Sequence, residues 1–420
     1  MAISDILNVD YDKWNQCKYE VHIEIKFSDG KTREVKPPQI QGLFIEKDYD
    51  NDHLPILLLD LSLSILDEKK IDNNTEFNIR IKQFYVQGDS TDKREPKLWL
   101  NDTFVKLNYG VNPDTTDAIN KKARSANGMS EDDVAPDDLV SQTSYPLVKK
   151  SDLILTKQLV NCPLSNVTQH DIFFWMMAKV GCRKPWLMSN ITNTERHAEF
   201  LVQPKGYLEN MLFLEKEFGW HPEGTCIFFD YDVLYVVRKS GTPTAWRVNE
   251  PKELCFCITE ATDSDNVPSG VIKKNNIVYF NLGNDQYHRI NAATIADQVE
   301  GKNMLLVNTT NTGNSSNVQS QIGAYGNGAY SVKSYHGHNP YVEQQHNIRK
   351  LEQENTFQLI CLNADLGFLT PNKQITVATN VTSVAKEFGG NYRLGGFKST
   401  FIKDGDYFDS TTEVIIKKTS

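Results

Sequence analysis

The chain has 420 residues, 39% of them hydrophobic and 24% charged, with a formal net charge of -9. That length carries roughly two to four ordinary domains, and the acidic balance argues against a surface built to neutralise nucleic-acid phosphates. The 7 cysteines are odd in number and contain no CxxC pair, and no apolar run reaches the roughly 20 residues that span a bilayer.

The N-terminus, MAISDILNVDYDKW, places acidic residues before its first lysine and lacks the basic and apolar regions of a secretory signal, which predicts assembly in a cytoplasm. Residues 19 to 107 read as antiparallel β structure. In YEVHIEIKFS, Val21, Ile23, Ile25 and Phe27 share one face, and His22, Glu24 and Lys26 share the other. Asp29-Gly30 marks a hairpin turn into TREVK, which ends at Pro37-Pro38. QGLFIEKD follows. PILLLDLSLS then sets Leu57, Leu59, Leu61 and Leu63 against Asp60, Ser62 and Ser64. EFNIRIKQFYV repeats the pattern with Phe77, Ile79 and Ile81, and KLWLNDTFVKL closes the set. Short alternating strands at this spacing predict a sandwich or barrel.

Asp48, Asp50 and Asp52 in EKDYDNDHLP resemble the start of a calcium loop. Counted from Asp48, however, the sixth and twelfth positions hold His53 and Leu59, where an EF-hand needs Gly and Glu. The stretch is expected to be a connection between strands, with Asp and Asn capping the turn.

Residues 108 to 143 are polar and dotted with Gly and Pro, as in a long loop or linker, with Asp137-Asp138 on a solvated face. SDLILTKQLV reads as a strand. VTQHDIFFWMMAKVG reads as a helix capped by Thr168 and ended by Gly181, with Ile172, Trp175, Met176 and Lys179 along one stripe. KGYLENMLFLEKEFG predicts a second helix that buries Leu208, Met211, Leu212, Leu214 and Phe218 and stops at Gly219. GTCIFFDYDVLYVVRKSG is apolar on both faces, as in a strand or hairpin buried on two sides. WRVNEPKELCFCITEA continues as strand, KKNNIVYFNLG and NMLLVNTTN are strand candidates, and TGNSSNVQSQIGAYGNGAYS is loop-like. The last 65 or so residues return to β pattern.

Chemistry-bearing constellations are sparse. Asp230 and Asp232, two apart, would face one way on a strand, where mutual repulsion can raise one pKa and make an acid/base pair. Opposed to this is the reading of two carboxylates on a solvent or subunit face. His336 and His338 form an HxH pair in a Gly-rich loop, without further ligands at metal spacing. Cys255 and Cys257 read as two small residues on a buried face rather than a metal clip. No phosphate loop, dinucleotide fingerprint or nucleophile elbow is present. The residues therefore assign no catalytic, cofactor or metal site.

Three stretches carry a family likeness: FIEKDYDNDHLPILLLDLSLS, LEKEFGWHPEGTCIFFDYDVLYVV and NYRLGGFKSTFIKDGDYFDSTTEV. Together with the order of elements, they resemble the baseplate hub (tail-associated or tail-tip hub) proteins of tailed bacteriophages. The resemblance implies an α+β, mainly β fold with two tail-tube-like β-barrels, an α/β insert and irregular loops. The segments would be a first barrel over 1–107, a linker over 108–143, an α/β domain over 144–222, a second barrel over 223–260 with 346–420, and an inserted loop-rich region over 261–345. It implies a homotrimer in the virion, assembled in the host cytoplasm. The trimer would join a sixfold tail tube or distal tail protein to a threefold spike or tip, with the tape-measure protein as a further partner. DNA would pass through the lumen without specific binding; no enzyme activity, cofactor or membrane insertion is implied. Two other readings stand beside it: a cell-wall hydrolase using Asp230 and Asp232, and a carbohydrate-binding tail-tip module using Trp186, Trp220, Trp246 and the 308–341 loop.

Overall fold

A computed structural model describes residues 15–87, 97–107, 140–239, 251, 253–258, 270–274, 277–282, 287–290, 355–371, 373–379, 382–388, 390–405 and 407–419. The N-terminal part runs β1 (Asn15–Lys26), β2 (Thr32–Val35), β3 (Ile40–Asp48), β4 (Ile56–Ser64), a one-turn helix α1 (Ile65–Glu68), β5 (Glu76–Gln87), β6 (Lys97–Lys106) and β7 (Val140–Lys149). A helical region follows: α2 (Lys150–Lys157), β8 (Leu159–Thr168), α3 (Gln169–Lys179), β9 (Trp186–Met188), β10 (Arg196–Gly206), α4 (Tyr207–Glu217), β11 (Thr225–Phe229) and β12 (Leu234–Arg238). The chain then supplies β13 (Glu253–Ile258), β14 (Gly270–Lys274), β15 (Ile277–Leu282), β16 (Tyr287–Ile290), β17 (Thr356–Leu362), β18 (Gln374–Thr379), α5 (Thr382–Glu387), β19 (Tyr392–Asp404) and β20 (Tyr407–Lys418). NMLLVNTTN, the 308–341 loop and both His336 and His338 lie outside the described residues.

The fold is mainly β and contains a closed barrel. Eight strands hydrogen-bond in a ring, β1–β5–β6–β7–β4–β3–β19–β20 and back to β1, with every neighbour antiparallel. Six of them come from residues 15–149 and two from the last hairpin. The alternation in the sequence becomes the inside and outside of this ring. Val21, Ile23, Ile25, Leu57, Leu59, Leu61, Leu63, Phe77, Ile79 and Ile81 are buried in one core, while His22, Glu24, Lys26 and Arg80 point outward and are exposed. Eight strands enclose just enough space for side chains, so the interior is a packed core and not a pore. A membrane barrel has the reverse polarity, and no helix among the described residues is long and apolar enough to cross a bilayer.

The hairpin β19–β20 is longer than the ring needs. Its Tyr392–Arg393 end pairs with β18, from which β13, β15 and β14 follow in hydrogen-bonded order to reach Asn15 at the start of β1. On its other side β20 pairs with β17, and β17 with β16.

Of the five helices among the described residues, α3 and α4 form where the sequence pattern places them, whereas α1, α2 and α5 fall in stretches read as β. Thr168 caps α3 with a reciprocal bond to Asp171, and Gly181 and Gly219 take positive φ just beyond the ends of α3 and α4. SDLILTKQLV, read as a strand, is instead helix α2 followed by the start of β8. The tertiary reason is Asp152, buried in the first turn of α2 and paired with Lys184 at 2.6 Å. A run this short does not distinguish helix from strand by period alone.

The two-sided apolar stretch from Thr225 to Arg238 is hairpin β11–β12, and its alternation is split between two cores. Cys226, Phe228, Tyr235 and Val237 join the barrel-side core, whereas Ile227, Phe229, Leu234 and Val236 join the core built by α3 and α4.

The ring closes at a tight crossing of β19 over β3. Gly396 sits at a bulge with φ +152, and a Cβ there would lie 2.3 Å from the Lys47 carbonyl oxygen. Gly396→Ala is therefore expected to lower thermal stability by at least about 1–3 kcal/mol. Gly30→Ala, also at positive φ but in open space at the β1–β2 turn, should cost only about 1 kcal/mol. Urea titration of both variants checks this ordering.

Candidate functional site

The calcium-like stretch from Asp48 to His53 joins β3 to β4, and the side chains of Asp48, Tyr49, Asp50, Asn51 and His53 all have structural work. The Asp48 carboxylate accepts from the backbone N–H groups of Asp50 and Asn51 and from the Asn51 amide, at 2.7–3.0 Å. That is an Asx turn. The Tyr49 hydroxyl donates to the Leu369 carbonyl at 2.6 Å. His53 donates from Nδ1 to the Ile227 carbonyl at 2.8 Å, and its own carbonyl accepts from Phe229 N–H. Burial lowers the His53 pKa and favours the neutral ring. The loop thereby docks the barrel onto β11.

Asp50 is the centre of this junction. Its side chain is 8% exposed and meets Lys239 at 2.7 Å, Lys417 at 2.6 Å and Arg393 at 3.0 Å. These cations come from the end of β12, from β20 and from β19. Burial alone would raise the Asp50 pKa, but Arg393, Lys239 and Lys417 overcome it and hold the carboxyl well below its usual range.

A second set of buried pairs lies beside it. Lys47 of β3 pairs with Asp230 at 2.6 Å, and its ammonium sits 4.9 Å from the Tyr231 ring centre. Lys149 of β7 pairs with Asp102 of β6 at 2.9 Å and donates to the Tyr231 carbonyl at 2.6 Å. With Asp152–Lys184, three lysine–aspartate pairs line the seam between barrel and helical region. Burial raises the pKa of Asp102 and of Asp152 against the pull of their lysines, and burial lowers that of Lys184.

These facts decide the sequence candidates. Asp230 and Asp232 do not lie on a strand face. They sit in the turn between β11 and β12, where Asp230 is buried and bonded to Lys47 and to Tyr231 N–H, while Asp232 is exposed. The strand reading failed because the β11–β12 hairpin turns at these residues. Trp220 is fully buried between the helices against Phe173 and cannot offer its ring to a ligand. Trp186 is 38% exposed, and Trp246 lies outside the described residues. Cys255 and Cys257 are buried on β13.

Sequence reasoning missed the partners: Lys47, Lys239, Arg393, Lys417, the buried carboxylates Asp152 and Asp365 and the half-buried Asp102 and Glu215. Glu215, near the C-terminal end of α4, accepts from Trp220 N–H, Thr225 N–H and the Thr225 hydroxyl at 2.8–2.9 Å. Burial raises its pKa despite these bonds. The available signal was charge on strands that otherwise alternate cleanly, such as Lys47 at an inward position of β3.

Between β5, β6, the β11–β12 turn and the 3-10 turn at Leu366–Phe368 lies a cleft of about 600 Å³. Asp365 forms its floor. It is buried and accepts from the Tyr85 hydroxyl and, at 2.9 Å, from Gly367 N–H. Burial raises its pKa against those bonds.

A closed β-barrel joined to a helical region through a seam of ion pairs defines a mainly β protein. The chain belongs to the family described as Bacteriophage PBS1 gene 109 protein, which matches residues 2–419. No curated protein matches. Among solved structures, the chain is similar to a tail protein from Neisseria meningitidis MC58, with 8% identity, 95% of this chain and 97% of that chain covered, and TM-score 0.47. It is similar to the 43 kDa tail protein of prophage MuSo2 from Shewanella oneidensis, with 10% identity, 94% and 96% covered, and TM-score 0.45. In a Francisella PdpA-VgrG complex the figures are 11%, 97% of this chain, 53% of that chain and 0.44.

Asp50→Asn would leave three cations facing a neutral amide. The expected loss is roughly 3–5 kcal/mol at neutral pH. Because the folded pKa is depressed, the Asp50 contribution is present above the unfolded value near 4 and is lost as pH falls through the folded pKa. The stability gap between parent and variant should therefore be flat from about pH 5 to 8 and shrink below about pH 4. Denaturant titrations at a series of pH values measure it.

Proposed function

We propose that this chain is a structural virion protein, a baseplate or tail-tip hub that joins a sixfold tail tube to a threefold spike or tip as a homotrimer. The observation that carries the reading is the long hairpin β19–β20. It completes the eight-stranded ring and then continues into a second run of strands, β18, β13, β15 and β14, that returns to β1. Two curved β units welded through one hairpin are what a chain needs if three copies are to present six similar units to a tube. The phage family and the sequence resemblance support the same reading.

In this reading 1–107 supplies most of the first unit, completed by β7 and the β19–β20 hairpin, and 223–260 with 346–420 supplies the second, which shares that hairpin; the α/β domain over 144–222 lies between them in the chain. Residues 108–143 would be a linker and 261–345 an insert. The tail tube or distal tail protein docks on one side and the spike or tip on the other, with the tape-measure protein as a further partner. DNA passes through a channel between subunits. The closed barrel is filled by side chains, so the channel runs along polar outer faces, and the acidic balance of the chain repels phosphate. Assembly takes place in the host cytoplasm.

The protein acts in this reading without catalysis. Asp230 is spent on Lys47, which speaks against the hydrolase reading.

The purified chain is expected to give three chain masses by light scattering and a ring with a central hole in electron micrographs. A stable monomer at micromolar concentration would remove the hub reading. Deleting 112–140 should leave the fold intact but weaken trimer formation or tube docking, as judged by the same mass measurement and by co-sedimentation with tubes.

A further inference from the structure

We infer that Lys184 and Asp152 join covalently in the folded chain, as an isopeptide bond between the lysine amine and the aspartate carboxyl. They come from the connection between α3 and β9 and from the first turn of α2, 32 residues apart. Lys184 Nζ lies 2.6 Å from Asp152 Oδ2, which is bonded directly to the carbon that the amine attacks. The two side chains are 9% and 4% exposed. A held nucleophile beside its acceptor, with water kept out, is what an intramolecular acyl transfer needs.

This pair differs from its neighbours in having nothing else to fix its charges. The Lys47 ammonium rests over the Tyr231 and Phe397 rings, and its partner Asp230 also accepts from Tyr231 N–H. Cation–π contact and a second hydrogen bond favour charged groups. Among the described residues, the Asp152 carboxyl and the Lys184 amine hydrogen-bond only each other. Burial then works against both charges. It raises the Asp152 pKa and lowers that of Lys184, toward a neutral acid and a neutral amine. A neutral amine is the form that attacks.

Asp102 supplies the third group. It is near enough to act electrostatically on both Asp152 and Lys184, and its side chain, 23% exposed, opens to solvent. Lys149 and Asp230 are the other charged groups that face the amine, and Lys149 repels the ammonium. One proton passes from the Lys184 ammonium to the Asp152 carboxylate. The amine then attacks the carboxyl carbon and the C–N bond forms. Asp102 takes a proton from the nitrogen and delivers it to a hydroxyl of the tetrahedral centre, the C–O bond breaks, and water leaves. An ammonium and a carboxylate thus become one amide and one water, with no oxidant or cofactor. The bond ties α2 to the β9 connection at the seam and makes that joint permanent. It does not depend on the hub reading.

The test reads the mass of the full-length folded chain under denaturing conditions and maps its tryptic peptides. The chain should be lighter than its sequence by one water, and one branched peptide should contain both Asp152 and Lys184. Lys184→Arg keeps the cation and the ion pair but cannot form the amide, so both signals should vanish. Closing a loop restricts the unfolded chain, so the parent should also unfold at a higher temperature than Lys184→Arg. Asp102→Asn should lower the joined fraction at a fixed time after synthesis by about tenfold or more, and Asp102→Glu should restore it. A folded parent of full mass, with Asp152 and Lys184 in separate linear peptides, overturns the proposal. So does a water loss that persists in Lys184→Arg, which marks a cyclised aspartate instead. A joined fraction that Asp102→Asn leaves unchanged overturns the proton relay. The parent measurement decides the bond even where a variant fails to fold. Light scattering on the same samples reads the trimer, so failure of the bond and failure of the hub reading are told apart.

Discussion

One buried carboxylate holds the junction on which the rest of the fold depends. Asp50 gathers Lys239 from the end of β12 and Arg393 and Lys417 from the two strands of the β19–β20 hairpin, all far from it in sequence. Removing a charge from water costs several kcal/mol, and it is tolerated only where partners and hydrogen bonds replace the lost solvent. Here the compensation requires β12, β19 and β20 to converge on the β3–β4 loop. The same loop also docks on β11 through His53. Barrel closure and contact with the helical region thus meet in one short loop.

The seam of lysine–aspartate pairs extends this logic. Lys47–Asp230, Lys149–Asp102 and Asp152–Lys184 all bridge strands of the barrel or the helices around it. Buried pairs add little net stability compared with apolar packing, but breaking one is expensive. Such pairs suit a joint whose orientation matters. In the proposed hub reading, two β units held at a set angle to neighbours would gain more from a specified joint than from a slightly more stable one.

The apolar periods of β1, β4 and β5 could be read directly, because a half-buried strand in an antiparallel ring needs alternate apolar residues whatever its neighbours are. The caps of α3 and α4 were equally plain, since Thr168, Gly181 and Gly219 act within a turn of their own positions. The two-sided hairpin β11–β12 was legible as buried on both faces. Its division between two cores was not, because both faces carry the same kind of side chain. SDLILTKQLV was misread because Asp152 finds its partner 32 residues away.

By itself the sequence determined a mainly β fold, its helix ends, its turn chemistry and its kinship with phage proteins. These rest on interactions between residues within a few positions of each other. Only the tertiary structure decided that the hairpin from Tyr392 to Lys418 closes a ring begun at Asn15, that Asp50 is the counterion of three cations, and that Tyr85 and Asp365 meet at one cleft. The physical reason is that strand pairing and charge compensation are non-local. A carboxylate reads the same in a sequence whether its partner is water, a metal or three cations drawn from the far end of the chain.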